Sequence, residues 1–261
     1  MTRSRLRIEV KGRDTPITTG DADFVFLSPH RDDVCFSLGG LAMRTGGHLI
    51  NVFTESQYTV NTAGDFSKAT IEHVTHIRRL EDQLFISRCR MNESQLHWPE
   101  APLRGYNPFD NQERKAELVK FGPQLFELLQ AIGRGHAKRR PWLFCPMGIG
   151  DHRDHLLIRD IILTYRPDLE ALFEIGFYED LHYASQSNRR TAGLVHFWAA
   201  LGHRLIRNAL PLRERAPLKL TLIRSYASQF HTLPNSLDRF TPAVPDTNPH
   251  EAVWTRTAFS V

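Results

Sequence analysis

An apolar run, Phe24-Val25-Phe26-Leu27, stops at Ser28-Pro29-His30-Arg31-Asp32-Asp33 and passes through Ser37-Leu38-Gly39-Gly40 into a helical stretch near 36–45. A buried strand that ends in a polar turn and reverses into a helix is the repeating unit of a parallel sheet, and the order recurs along the chain. Strands are expected at 23–28, 48–54, 95–98, 142–145 and 173–178. Helices are expected at about 69–90, 113–132 and 152–164. Near-continuous apolar strands alternating with helices fold into a mainly parallel sheet covered on both faces. The expected class is α/β, a Rossmann-like three-layer sandwich. Such sheets bind ligands outside the carboxyl ends of their strands, where the His30–Asp33 turn falls.

The remaining segments are less regular. Residues 56–68 are polar and contain Gly64, so they read as a loop. Residues 99–112 hold three prolines and read as irregular. Gly122-Pro123 is expected to kink or split its helix. Two further helical stretches, about 190–209 and 215–229, close the main body. From about 234 the chain carries Pro234, Pro242, Pro245 and Pro249 and reads as an irregular tail. With no internal repeat or low-complexity linker, residues 1–261 are expected to form one domain.

Composition excludes several classes. No window is long enough to span a membrane, and the basic N-terminus lacks the apolar stretch of a signal peptide. Cys35, Cys89 and Cys145 are odd in number and far apart, which points to a reducing compartment and, by default, the cytoplasm. The net charge of +4 comes partly from local clusters such as Arg189-Arg190 and the stretch Arg204–Arg224. With acids interspersed and no nucleic-acid motif, these read as a solvated face, and nucleic acid is disfavoured as a partner. The first strand lacks a Gly-x-Gly-x-x-Gly turn, so a dinucleotide cofactor is not supported.

A second run, Gly150-Asp151-His152-Arg153-Asp154-His155, also follows a strand through a glycine turn. Its first helical turn sets His152 and His155 on one side. A parallel sheet brings both runs to the same edge. His30, Asp33 and His155 then supply two imidazoles and a carboxylate, the ligand set of a catalytic zinc site with an open position for water. Other divalent ions suit the same set. Asp32 is left over as a general base. His152, as an imidazolium, is left over to stabilise an oxyanion or protonate a leaving amine. Asp154 is expected to orient a ligand from behind. His73 and His76 share the His-x-x-His spacing but have no strand-end turn, and read as a polar helix face. Cys35 and Cys145 form no Cys-x-x-Cys pair and read as buried packing. The strand-end run Tyr178-Glu179-Asp180 offers a carboxylate to sugar hydroxyls or a helix cap. Trp254 either closes over the pocket or packs.

Pro29-His30-Arg31-Asp32-Asp33 resembles the His-Pro-Asp-Asp-Glu signature of the LmbE-like (PIG-L) zinc deacetylases, and His152-Arg153-Asp154-His155 resembles that family's later His-Pro-Asp-His. Softer matches are Arg78-Arg79-Leu80-Glu81, Phe177–Tyr183, and Lys219 through Ser228-Gln229. The resemblance covers roughly 23–230. It implies hydrolysis of an N-acetyl group, usually from a glucosamine-containing substrate, with His30, Asp33 and His155 as zinc ligands, Asp32 as base and Arg78 near substrate. Arg31 and Arg153 stand where the family has proline, and Val34 where it has glutamate. The two arginines are expected either to bind an anionic substrate or to pair with neighbouring acids.

The leading expectation is therefore a zinc-dependent amidohydrolase that deacetylates an amino sugar or its conjugate. One alternative keeps the metal and changes the substrate to a thiol conjugate or an acylated natural product. Another is a non-enzymatic protein with a structural metal that docks nucleic acid or an acidic partner. The sequence does not specify the oligomeric state.

Overall fold

The computed structural model describes residues 9–11, 23–60, 70–110, 112–136, 139–244 and 248–259. The basic N-terminal heptapeptide and most of the loop expected at 56–68 lie outside them. The strands are β1 (Glu9–Lys11), β2 (Phe24–Ser28), β3 (Gly47–Glu55), β4 (Met91–Pro99), β5 (Trp142–Pro146), β6 (Glu174–Tyr178), β7 (Ile206–Pro211) and β8 (His250–Thr255). The helices are α1 (Asp33–Thr45), α2 (Ile71–Cys89), α3 (Lys115–Gly135), α4 (Arg153–Thr164), α5 (Arg166–Glu170), α6 (Ser187–Leu201) and α7 (Ala216–Arg224).

Among the described residues the strands form one sheet in the order β1-β4-β3-β2-β5-β6-β8-β7. The five strands β4, β3, β2, β5 and β6 are parallel, as the alternation of elements requires. From β2 the chain builds outward through β3 to β4, then returns to the other side of β2 with β5 and β6. β2 and β5 therefore flank the topological switch point, where the strand ends splay and leave a crevice.

Period-two alternation sorts the strand side chains into two cores. Val25 and Leu27 face α3, α4 and α6 and pack with Leu125, Leu129, Ile158 and Phe197. Phe26, Leu49 and Phe144 face α1, α2 and α7 and pack with Leu38, Phe85, Leu222 and Phe240. Both faces are buried, which is why the strands are apolar runs rather than alternating ones.

Four expectations need correction. The helix expected over 190–209 ends at Leu201, where Gly202 adopts φ 81°, and the chain continues as edge strand β7. The tail is not wholly irregular. His250–Thr255 pairs antiparallel with both β6 and β7, and its burial under α1 outweighs the prolines around it. Pro123 does not split α3, which runs through it. The strand expected at 95–98 is longer, Met91–Pro99.

α1 is two helical pieces merged at Leu38, whose φ of −130° is non-helical. The break frees backbone donors in the middle of the element. The Glu251 carboxylate on β8 accepts from the N–H groups of Gly40 (2.6 Å) and Leu41 (2.9 Å), so it caps the second piece from across the core. The fully buried Lys219 ammonium of α7 lies 2.7 Å from the same carboxylate. A Cβ at Gly40 would come within 2.2 Å of a Leu212 methyl, so Leu212 would have to shift.

His48 on β3 is 3% exposed and lies 2.9 Å from the Ser94 hydroxyl. Burial holds its pKa down to about 4, against 6.5 for the free group. The unfolded chain thus takes up this proton first on acidification. Stability from this residue is complete above pH 6.5 and is lost as pH falls toward 4, by about 3 kcal/mol in all. Urea unfolding of His48→Gln at pH 7 and pH 4.5 should show a smaller loss between the two values than the parent. An equal loss in both proteins would exclude His48 as a source.

Candidate active site

The crevice beyond β2 and β5 gathers the residues singled out by the sequence. β2 delivers His30. Its turn is pinned by the Phe53 N–H, which donates to the Pro29 carbonyl (2.8 Å), and by the Val34 N–H, which donates to the Ser28 hydroxyl (3.2 Å). α1 begins at Asp33, whose Oδ2 accepts from the His30 N–H (2.7 Å). Beyond β5, Gly148, Gly150 and Asp151 all adopt positive φ, and the tight turn swings α4 in with His152 as its cap. Gly150 makes room for Tyr183, whose Cγ would lie 2.3 Å from a Cβ at that position.

Asp33 Oδ2 is 3.2 Å from His30 Nδ1 and 3.2 Å from His155 Nε2. Both imidazoles and the carboxylate therefore point at one place. The far nitrogen of each ring rests on another carboxylate: His30 Nε2 on Asp154 (2.9 Å) and His155 Nδ1 on Asp180 (2.7 Å). Histidine ligands of metals are characteristically backed in this way, because the second carboxylate fixes the tautomer and raises ligand basicity. The rings of His30, His152 and His155 also offer nitrogens within 4.8 Å of one another.

The electrostatics favour a cation. Burial works against charge on His30, but hydrogen bonds to Asp154 and Asp33 hold its pKa well above the usual imidazole value. His155 is likewise opposed by burial and raised to about 9 by Asp33 and Asp180. Burial alone would raise Asp33, but His155 and His30 bring it well below the usual carboxylate range. The carboxylates of Asp32, Asp33, Asp154 and Asp180 outnumber the guanidiniums that reach them, those of Arg78 and Arg104. A divalent ion fits this excess of negative charge.

Asp32 sits at the cap position of α1 but makes no capping bond, so its carboxylate is available for chemistry. Its Oδ1 accepts from Arg78 Nη2 at 3.2 Å. Burial raises its pKa, against the opposing charge of Arg78. Arg78 is buried and also binds Ser56 Oγ (2.8 Å) and Glu100. It therefore orients Asp32 from behind. The softer sequence matches meet one another here: the Glu81 carboxylate accepts from the Ser228 N–H (2.7 Å) and hydroxyl (2.6 Å).

His152 Nδ1 accepts from the Asp154 N–H (3.2 Å). The neutral ring must then carry its proton on Nε2. Burial, with His30 and His155 close by, pushes its pKa well below the usual value. The imidazolium expected from the sequence is thus disfavoured, and a neutral Nε2–H donor takes its place.

The expectation that Arg31 and Arg153 reach substrate is corrected by their placement. Arg31 is 2% exposed and spans Gln95 (2.8 Å), Glu93 (3.2 Å) and Asp82. Arg153 is 1% exposed and pairs with Glu117 at 2.7 Å. Without the fixed φ of proline these positions gain internal ion pairs instead. Val34, in place of the family's glutamate, is packed in the core. His73 and His76 are exposed on α2. Glu179 is engaged by Arg190 (2.6 Å), Arg207 (2.9 Å) and the Trp254 indole (3.0 Å), so part of the basic stretch is internal and Trp254 is held at β8.

Sequence reasoning missed Arg104, which joins Asp154 (2.7 Å) to Glu117 (2.8 Å). It also left Asp180 without a definite role. A strand-end position was the only signal available for Asp180, and no local pattern marks Arg104.

Fold and site together define an α/β protein with a histidine–carboxylate cluster, suited to a divalent ion, at the switch point of its sheet. No family model matches the chain. Its sequence is 30% identical over 189 residues to the 2'-N-acetylparomamine deacetylase of Streptomyces fradiae, a match covering 66% of this chain and 64% of that protein. The chain thus spans a little under two thirds of the length of that relative. The fold is similar to that of the A40926 pseudoaglycone deacetylase Dbv21, with a TM-score of 0.61 at 19% identity over 91% of this chain and 98% of the other. It is also similar to the zinc-inhibited form of the teicoplanin deacetylase Orf2, with a TM-score of 0.63 at 17% identity over 88% and 96%. The chain is thus similar in sequence to part of one deacetylase and shares the fold of two others. Among the described residues no helix is long and apolar enough to cross a membrane.

Proposed function

We propose that this chain is a divalent-metal-dependent hydrolase that removes an N-acetyl group from an amino sugar or a glucosamine-containing conjugate. The observation that carries the reading is the convergence of His30 Nδ1 and His155 Nε2 on Asp33 Oδ2, with Asp32 adjacent, engaged through Oδ1 by Arg78 and free of any helix-capping bond. His30, Asp33 and His155 are the assigned ligands. His152 is not assigned to the ion, because its Nδ1 faces an N–H donor and its Nε2 carries the proton. Zinc is the ion this donor set suits best, and other divalent ions suit it as well.

A divalent ion held by His30, Asp33 and His155 would supply Lewis acidity toward a water and the amide carbonyl. Asp32 accepts the proton of the attacking water. Arg78 engages Oδ1, which leaves Oδ2 as the oxygen to take that proton. Burial raises the basicity of Asp32 toward that of a useful base. The His152 Nε2–H donates to the carbonyl oxygen as the carbon becomes tetrahedral. The proton on Asp32 then moves to the nitrogen, the C–N bond breaks, and amine and acetate are released.

A second reading keeps this chemistry and enlarges the substrate to a glycosylated natural product. The antibiotic deacetylases among the relatives favour it. The buried free thiols of Cys35, Cys89 and Cys145 support the reducing, cytoplasmic setting. One screen separates these readings. Metal-loaded protein is incubated with N-acetyl amino sugars, free, nucleotide-linked and aglycone-linked, and masses are followed. Loss of an acetyl mass from one class is the expected result. Intact masses throughout, with the metal shown to be bound, would refute the hydrolase reading.

A further inference from the structure

Arg153 replaces a turn-stiffening proline, and its buried guanidinium does more than pair with Glu117. It donates toward the carbonyls of Asp110 (3.3 Å), Gln112 (3.3 Å) and Glu113 (3.4 Å). It also lies 3.9 Å over the ring of Tyr106, and its backbone N–H donates to the Pro108 carbonyl (2.7 Å). One side chain thus gathers the stretch between the end of β4 and α3 from several directions. Loops are ordinarily the mobile parts of a fold, and a guanidinium with five donors can fix one.

The stretch carries Phe109. An Asx turn sets its start, with the Phe109 N–H donating to Asn107 Oδ1 (2.9 Å). Phe109 is 51% exposed, although its ring stands edge-on to His152 at 5.6 Å and to Tyr183 at 6.3 Å. The chain therefore presents an open aromatic face directly beside the candidate oxyanion donor His152. A pyranose presents one apolar C–H face, which suits an aromatic ring.

We propose that Phe109 is a specificity-determining residue: its open ring forms the wall against which the sugar ring lies while the acetamide reaches His152. Arg153 is the positioning residue that holds this wall. The inference rests on the amino-sugar reading and goes beyond it by naming how the sugar is selected.

The test measures both binding and turnover on metal-loaded protein. Calorimetry gives the Kd of methyl N-acetylglucosaminide, and kinetics give kcat and KM for the same compound and for an acyclic N-acetyl amine. Phe109→Ala should weaken sugar binding about tenfold and lower the preference for sugar over acyclic amide by a similar factor. The effect should fall on KM rather than kcat, and Phe109→Trp should restore affinity. Arg153→Met should reproduce the weakening, and the double variant should be no weaker than either single one, since both remove the same wall. Unchanged sugar affinity in Phe109→Ala overturns the inference, whether or not Arg153→Met folds. Additive losses in the double variant overturn the role of Arg153. If no acetamide is hydrolysed but Phe109→Ala still weakens sugar binding, the hydrolase reading fails and the wall stands.

Discussion

Asp32→Asn is expected to retain the bound ion and to lose activity by about 10³-fold, within the range general bases contribute. The argument is geometric. Asp32 is the one carboxylate of the cluster that neither faces the shared point between the two imidazoles nor supports a ring from behind. It contacts Arg78 through Oδ1 and makes no helix-capping bond. Asparagine keeps the size and the acceptor oxygen for Arg78, so the neighbours have little reason to move. His155→Ala should behave differently. It removes a nitrogen from the ion and strands Asp180, which lies 2.7 Å from that ring. Metal content and turnover should fall together. Measuring metal per chain alongside initial rate separates the two variants. A fully active Asp32→Asn protein would sink the assignment of the base, and a metal-replete His155→Ala protein would sink that of the ligand.

Glu251→Leu is expected to destabilise the fold by about 3–5 kcal/mol, the usual consequence of removing one partner of a buried ion pair. Glu251 and Lys219 are both fully buried, so the ammonium would be left without its counter-charge. The same change orphans the N–H groups of Gly40 and Leu41 at the break in α1. For a chain of this size the loss corresponds to a fall in Tm of roughly 10 °C. Adding Lys219→Met should recover much of it. A remainder of about 1–3 kcal/mol should persist, because the two backbone donors stay unsatisfied. Thermal and urea unfolding of both variants check this. A Tm within about 2 °C of the parent for Glu251→Leu would show that the cross-core cap is not needed. Because α1 starts at Asp33, the single variant should also hold its ion more weakly.

The parts of the fold legible in the sequence were those with local causes. The apolar run Phe24–Leu27 is buried on both sides, and it reads as a strand because no polar residue interrupts it. His152 caps α4 after a positive-φ glycine turn, and Gly150-Asp151-His152 announces that locally. β7 and β8 were not legible, because their strand state comes from pairing with each other and with β6. Ile206–Pro211 and His250–Thr255 lie far apart in sequence, and no periodicity within either one encodes the other.

The candidate site divides along the same line. Which residue types stand at the two strand-end turns is a property of the sequence, since a histidine beside paired carboxylates after an apolar run is visible without any fold. What each side chain is free to do was decided only in three dimensions. Arg31 and Arg153 carry the same charge and occupy equivalent motif positions, yet both are turned into the protein by acids contributed from β4 and α3. Asp32 and Asp33 are adjacent and chemically identical, but one faces two imidazoles and the other a guanidinium. Sequence fixes the inventory of donors because that is covalent. Tertiary structure assigns their partners, because burial makes every charge choose the nearest opposite one, and nearness in space is set by packing across the sheet.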